Sequence, residues 1–454
     1  MAEVAAPPAP PVSLLRHPVR RLLADWRDPL LRNGYALVVN VGLTSVLGFA
    51  YWILATHLYS KTNVGLGVDA INLMQLLAGV GGQLTFQAAL TRFIPHAGTG
   101  SRRLAVISYG FAGGAGALVS LLYLIGLHIP SLGLPAVVGR GWGLGLLFGA
   151  SVTVWCVFAL QDAVLTGIRQ AVWIPVENGL YGIGKIVMLV AIAHVLRHYG
   201  IFFSWIVPAA IALVPVNLLI FGHLLPRHVA RERVSASAHT APVTFATMAR
   251  FMGGDYLGTV FFMAMGTILP LLITVRLNAA NAGYFGVVYV IIYALDLVTV
   301  NLGVALMVEG AIDRASLRQQ AAVVVRRILA IIVPAEVILV GFAPLILSVY
   351  TRPYAVHAST LLRLLAVAVL FKAVTSLYIA LSRVERKVSR IALAQGALFV
   401  SITGFSWILM GHLGLSGVGV AYLASQIVVA AAVLPSILRM LAHPAPAPAG
   451  VHAP

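Results

Sequence analysis

Twelve apolar runs of roughly twenty residues, joined by short polar connectors, leave this chain a single kind of fold. Each run is long enough to cross a hydrocarbon core of ~30 Å. Within lipid, only helices and closed barrels satisfy their own backbone hydrogen bonds. Runs of this length without strict alternation are helices. The fold class is therefore all-α, a polytopic membrane protein with about 12 transmembrane helices. The spans are predicted at 33–57, 65–90, 103–127, 141–166, 174–196 and 202–224, then at 251–275, 283–308, 324–349, 358–381, 389–411 and 415–439.

The connectors alternate in charge. One set carries Arg16, Arg20, Arg21, Arg27 and Arg32; Arg92, Arg102 and Arg103; Arg169; Arg227, Arg231, Arg233 and Arg250; Arg314, Arg318, Arg326 and Arg327; Arg383, Arg386, Lys387 and Arg390; and Arg439. The other set holds only Lys61, Arg140, Arg197, Arg276 and Arg352. Cytoplasmic loops carry the positive excess, so both termini are expected in the cytoplasm and the number of spans is even.

With 60% hydrophobic and 9% charged residues, the chain lies far from the roughly one-quarter charged composition of soluble domains. Its formal charge of +17 is spread over short loops rather than gathered on one face, which argues against nucleic acid and for topology and anionic lipid headgroups. Cys156, the one cysteine, lies inside an apolar run, so neither an intrachain disulfide nor a cysteine zinc site is expected. The opening MAEVAAPPAPP does not read as a signal peptide. Ser13 to Leu31 alternate Leu, Val and Trp with Arg, as in a basic interfacial helix. The expected organisation is an N-terminal cytoplasmic segment, 1–32; a first lobe, 33–225; a basic linker, 226–246; a second lobe, 247–440; and a Pro/Ala-rich tail, 441–454.

One constant offset, the distance along the chain from Asn63 to Asn281, carries each span of the first lobe onto one of the second. The connector after span 1 reads Asn63-Val64-Gly65, and the one after span 7 reads Asn281-Ala282-Gly283. Six spans is an even number, so the repeat is parallel, about an axis along the membrane normal. Repeats of this kind place a ligand site at their interface. Spacing carries this reading, since the identity between halves is weak.

Soluble catalytic motifs are missing: neither a G-x-x-x-x-G-K-[ST] phosphate loop nor H-E-x-x-H occurs. His194 and His198 have i,i+4 spacing but read as a wet interfacial pair, and no metal site or cofactor is expected. Polar residues inside the spans are expensive and normally face a cavity or a neighbouring helix. At ~100° per residue, span 1 aligns Asn33, Asn40, Thr44 and Tyr51; span 2 aligns Asp69, Asn72, Gln83 and Gln87; span 7 aligns Asp255 and Thr259; span 8 aligns Tyr289, Tyr293 and Asp296. Equivalent stripes in both halves favour a hydrated cleft between lobes over simple helix-to-helix hydrogen bonding. Tyrosines beside a carboxylate also suit sugar rings. Glu336 and Lys372, at similar depth on neighbouring spans, are expected to form a structural ion pair. Lys185 has no evident partner, and Arg363 can reach the surface by snorkelling.

The segment RNGYALVVNVGLTSVLGFAYWILATHLYSKTNVGLGVDAINLMQLLAGVGG resembles the opening of the polysaccharide-transport branch of the MOP flippase superfamily, which includes the Wzx-type O-antigen and exopolysaccharide flippases. The matching features are Arg32-Asn33, Gly48-Phe49 with Trp52, Tyr59-Ser60, Val64-Gly65 and Arg92-Phe93-Ile94-Pro95. They lie between Arg32 and Pro95; beyond them the likeness is one of architecture. The resemblance implies a MATE-like fold of two six-helix lobes, no enzymatic activity, and alternating access in a bacterial inner membrane. The substrate implied is a polyprenyl-pyrophosphate-linked oligosaccharide, with H⁺ or Na⁺ as an open question. In that family spans 1, 2, 7 and 8 line the cavity. Relatives that hold pyrophosphate on deep arginines differ from this chain, whose stripes carry Asp69, Asp255 and Asp296. Arg32, Arg92 and Arg250 at the basic end are the expected pyrophosphate-capturing groups. The chain is too short for the fourteen-span peptidoglycan-precursor flippases. The alternatives are a cation-coupled multidrug exporter of the same superfamily, which buried carboxylates suit, and a membrane enzyme of glycan assembly, for which outer domain and catalytic cluster are lacking.

Overall fold

The computed structural model describes residues 29–129, 131, 137, 139–235, 245–312, 317–385 and 387–442. Among them every regular element is helical. The helices are α1 (Pro29–Leu58), α2 (Lys61–Val80), α3 (Gln83–Phe93), α4 (Ser101–Leu127), α5 (Trp142–Gly167), α6 (Ile174–Ile192), α7 (Gly200–Leu219) and α8 (Leu225–Ser235). They continue as α9 (Phe245–Arg276), α10 (Ala279–Ile312), α11 (Leu317–Gly341), α12 (Ala343–Ser348), α13 (Arg352–Val384), α14 (Val388–Leu413) and α15 (Leu415–Ala442). Among the described residues eleven helical stretches, against the twelve predicted, are long and apolar enough to cross a membrane, and the shorter apolar stretch Leu329–Gly341 is prolonged by α12. The chain is a polytopic membrane protein. Most of the predicted interfacial segment and all but its start of the C-terminal tail lie outside the described residues, as does part of the linker.

Three predicted spans differ in detail. Span 2 is two helices: Gly82 adopts φ +87, and a Cβ on Gly81 would lie 2.9 Å from the Gly116 backbone nitrogen, so α4 crosses too closely for any other residue. Span 6 does not stop at the basic connector. A π-turn, Ile220–Leu224, leads into α8, whose Arg, Ala and Glu residues favour a helix. Span 9 is α11 followed by α12, broken near Gly341.

In the first half, α1 packs on α6, α4 on α5, and α5 on α3 and α7. In the second, α15 packs on α13 and α14, α9 on α14, and α10 on α13. The halves meet chiefly where α2 lies against α9 and α10, and α3 against α9. α2 is the keystone: its apolar window is 67% buried, against 11% for that of α1.

The crossing of α2 and α10 carries the repeat into three dimensions. A Cβ on Gly65 would overlap the carbonyl of Ala279, and one on Gly283 would lie 3.0 Å from the carbonyl oxygen of Lys61. Ala279 and Gly283 are the repeat mates of Lys61 and Gly65. The contact is thus reciprocal, as across a two-fold axis. The caps match too. Ser60 Oγ accepts the Asn63 N–H at 3.3 Å, and its repeat mate Asn278 accepts the Asn281 N–H on Oδ1 at 3.0 Å.

Candidate functional site

The polar stripes reach four different settings. Along the seam between halves, Asp69 is fully buried and accepts a hydrogen bond from Thr274 Oγ1, while Tyr256 donates to the Val80 carbonyl at 2.6 Å. Val68 fits against Gly286, and Met263 against Gly79. Much of the span 2 stripe therefore ties the halves together. Asn72 Nδ2 donates to the Val68 carbonyl at 2.8 Å, and Gln83 Nε2 to Gln87 Oε1 at 3.2 Å.

In the second half, Lys372 Nζ forms an ion pair with Asp296. This corrects the expected Glu336–Lys372 pair. Depth alone matched those two residues, but Lys372 lies on the face of α13 that meets α10. Glu336 is buried, with Oε1 unpartnered. Asp296 is 3% exposed, so it does not line an open cleft in this conformation. Tyr289 stacks between Phe285 and Tyr293, with centroids 5.5 and 6.4 Å away, and Tyr293 is half exposed. Thr259 is half-buried. The side chains of Asp255 and Arg250 lie outside those described. Arg363 Nε donates to the Val340 carbonyl at 3.0 Å, at the end of α11.

At the arginine-rich end, a shallow, wide-open cleft of ≈ 410 Å³ runs along one face of α3, lined by Leu84, Gln87, Ala88, Thr91 and Arg92. Arg92 is exposed there, its guanidinium 5.7 Å from the Phe93 ring centre. Arg32 is half-buried. Asn33 Nδ2 donates to the carbonyl of Arg169 at 2.9 Å, and Arg169 adopts φ 58, in the left-handed region.

The fourth setting lies inside the first half. A pocket of ≈ 210 Å³ is walled by α1, α3, α5 and α6, with Thr44, Gln87, Trp155, Asp162, Asn178 and Lys185 among its lining residues. Asn178 Nδ2 donates to Asp162 Oδ2 at 3.1 Å, leaving Oδ1 unpartnered. Lys185 Nζ lies 4.2 Å from the Trp205 ring centre, 4.6 Å from that of Tyr51 and 5.5 Å from that of Tyr181. Such faces attract a cation. Tyr51, read from the sequence as part of the cleft stripe, is instead fully buried within this half, its OH 2.7 Å from Ser204 Oγ. Of the stripe residues whose side chains are described, only Thr44 and Gln87 line the pocket. Asn40 is half-buried with Oδ1 unpartnered, and its carbonyl accepts from Thr44 Oγ1 at 2.7 Å. Glu177 is buried nearby with neither oxygen hydrogen-bonded. Asp162, Glu177 and Asn178 went unmarked in the sequence, although the Gln161-Asp162 and Glu177-Asn178 doublets interrupt apolar runs and carry the usual signal of intramembrane polarity. Among the described residues no group of three or more His, Cys, Asp or Glu side chains could hold a metal ion.

No protein-family model and no curated protein matches the chain. Solved structures do. A multidrug resistance MATE family transporter of the MOP superfamily, in an inward-facing conformation, superposes with TM-score 0.65 at 13% identity, covering 89% of this chain and 98% of that one. A MATE protein in complex with MaL6 gives 0.62 at 14% identity, covering 91% and 97%. A MOP superfamily transporter from Pyrococcus furiosus, described as having a binding pocket of reverse polarity that suggests a different function, gives 0.59 at 14%, covering 91% and 95%. The chain therefore has the MATE fold.

Proposed function

We propose that this protein is a transporter that moves polyprenyl-pyrophosphate-linked oligosaccharides from the inner to the outer leaflet of a bacterial cytoplasmic membrane, for surface polysaccharide assembly. Both termini face the cytoplasm in this reading, so the Arg92 cleft opens inward and the Gly65–Gly283 crossing closes the outer side. The fold supports it, as does the likeness of the stretch between Arg32 and Pro95 to polysaccharide flippases.

The observation that carries the reading is the fate of two of the three stripe carboxylates, those whose side chains are described. Asp69 is clamped by Thr274 and Asp296 by Lys372, and neither reaches solvent. The exposed charge at the neighbouring cleft is instead Arg92, which suits a pyrophosphate. The two halves rock about the α2–α10 crossing. The headgroup travels through the wet gap between them while the tail stays in lipid. With the cell interior negative, outward movement of an anion gains ~2.3 kcal/mol per charge per 100 mV, so the step needs no ATP.

Deleting the gene should leave lipid-linked oligosaccharide on the inner leaflet. Arg92→Ala should slow flipping in reconstituted vesicles about tenfold, the loss of roughly one charge-assisted hydrogen bond. Normal flipping without the protein would end the proposal. A second reading, cation-coupled export of small molecules, is favoured by the unpartnered oxygens of Asp162 and Glu177. In that case deletion alters drug resistance and leaves the glycan normal.

A further inference from the structure

We infer that the pocket inside the first half binds one acidic sugar unit of the cargo, a hexuronate whose carboxylate pairs with Lys185. The inference rests on the glycan-lipid reading above and specifies its substrate class.

Lys185 is 7% exposed. Among the described residues its ammonium meets aromatic faces alone: no carboxylate forms a salt bridge with it and no oxygen accepts from it. A charge withdrawn from water this far is ordinarily paired and hydrogen-bonded, as Lys372 is by Asp296 in the other half. The repeat mate of Lys372 is Val154 and that of Lys185 is Thr403, so neither charge follows from the repeat. Each half carries its own cation, and the first half leaves its cation in the wall of a cavity.

The rest of that wall selects the ligand. Asp162 lines the pocket with a carboxylate whose Oδ2 accepts from Asn178 and has a further lone pair for a hydroxyl group. Asn178 and Gln87 supply amides, Thr44 a hydroxyl, and Trp155 an apolar face for a ring. Asn178 and Lys185 are seven residues apart on α6, about 10 Å along the axis at 1.5 Å per residue. The polyol end and the anionic end of the pocket are therefore separated. With a single cation in the wall, the pocket can take one ligand carboxylate, held at the Lys185 end and away from Asp162. It does not match a pyrophosphate, whose multiple charges would face Asp162. Thr44 is exposed and Gln87 half-buried, which puts the mouth between α1 and α3, and Gln87 also lines the Arg92 cleft. A headgroup held by its pyrophosphate at Arg92 could thus place a sugar inside.

The test uses the purified full-length protein in nanodiscs, titrated at constant ionic strength with sodium glucuronate, glucose or sodium pyrophosphate while tryptophan fluorescence is followed. Glucuronate should give a saturable response with at least tenfold higher apparent affinity than glucose. Lys185→Met should weaken it at least tenfold, and Lys185→Arg should retain part of it. Without ligand, Lys185→Met should melt at or above the temperature of the unaltered protein, because it removes an unpaired charge; a merely structural ammonium gives the reverse. If Lys185→Met does not fold, Ala159→Leu, which fills the pocket and leaves the ammonium in place, should abolish the glucuronate response. Equal responses to glucuronate and glucose, a pyrophosphate response that depends on Lys185, or a glucuronate response surviving both Lys185→Met and Ala159→Leu, overturns the inference. If glucuronate binds through Lys185 while deletion leaves lipid-linked glycan unaffected, the flippase reading falls and the pocket stands. If deletion strands the glycan lipid and glucuronate does not bind, only the pocket falls.

Discussion

Lys372 and Asp296 form a buried pair whose value lies in neither partner being left alone. Removing one charge from such a pair costs about 3–5 kcal/mol, whereas replacing both with apolar groups is often close to neutral. Lys372→Met should therefore lower the melting temperature in detergent substantially, and Lys372→Met combined with Asp296→Leu should restore most of it. A single variant no less stable than the double one would refute the pairing. The sequence revealed these residues as isolated charges in apolar runs, but partner choice depends on direction around the helix, and depth suggested Glu336 instead. Tyr51 shows the same gap. It lies seven residues from Thr44, close to one helical face, yet a helix drifts ~20° per heptad. α1 also leans on α6, and its far end is held to α7 through Ser204. The face that meets the pocket at Thr44 is inside the half at Tyr51. The cage around Lys185 draws one ring from each of α1, α6 and α7, a combination that spacing along the chain cannot display.

Two helices owe their form to glycine. At Gly82 the left-handed backbone separates α2 from α3. Gly82→Ala should destabilise the protein by roughly 1–2 kcal/mol, measurable as a fall in melting temperature. At Gly65 there is no space for a side chain beneath Ala279. Gly65→Leu, and its repeat mate Gly283→Leu, should each force α2 and α10 apart at the arginine-poor end. A cysteine at Val68, 2% exposed, should then react with a membrane-impermeant maleimide, whereas Val68→Cys alone should stay protected. Cys156 is buried, so background labelling should be low. Equal labelling with and without Gly65→Leu would show that the crossing does not close that end. The Asn-x-Gly pattern in both connectors was legible as repetition. Its physical purpose, letting two backbones touch, became visible once the helices were packed together.

Across the whole molecule, the arginine sorting makes a prediction independent of any substrate: a periplasm-active reporter fused at either terminus should be inactive, and a cytoplasm-active one should work. Activity on the periplasmic side would invert the proposed orientation, and with it the inward-opening Arg92 cleft. The all-helical class and membrane residence could be read from the chain alone; of the twelve predicted spans, eleven are helical stretches of full membrane-crossing length among the described residues. Hydrophobic length and periodicity act locally, residue by residue, and lipid admits few other solutions to backbone hydrogen bonding. The placement of polar groups is a different matter. Of the stripe on span 2, Asp69 went to the seam and Gln87 to the pocket mouth, while on span 8 Asp296 went to an internal ion pair. Helical phase says only that such residues share a face. Which neighbour covers that face is set by how all the helices pack at once, and this packing leaves one lysine in the first half facing an open pocket while the buried lysine of the second is neutralised.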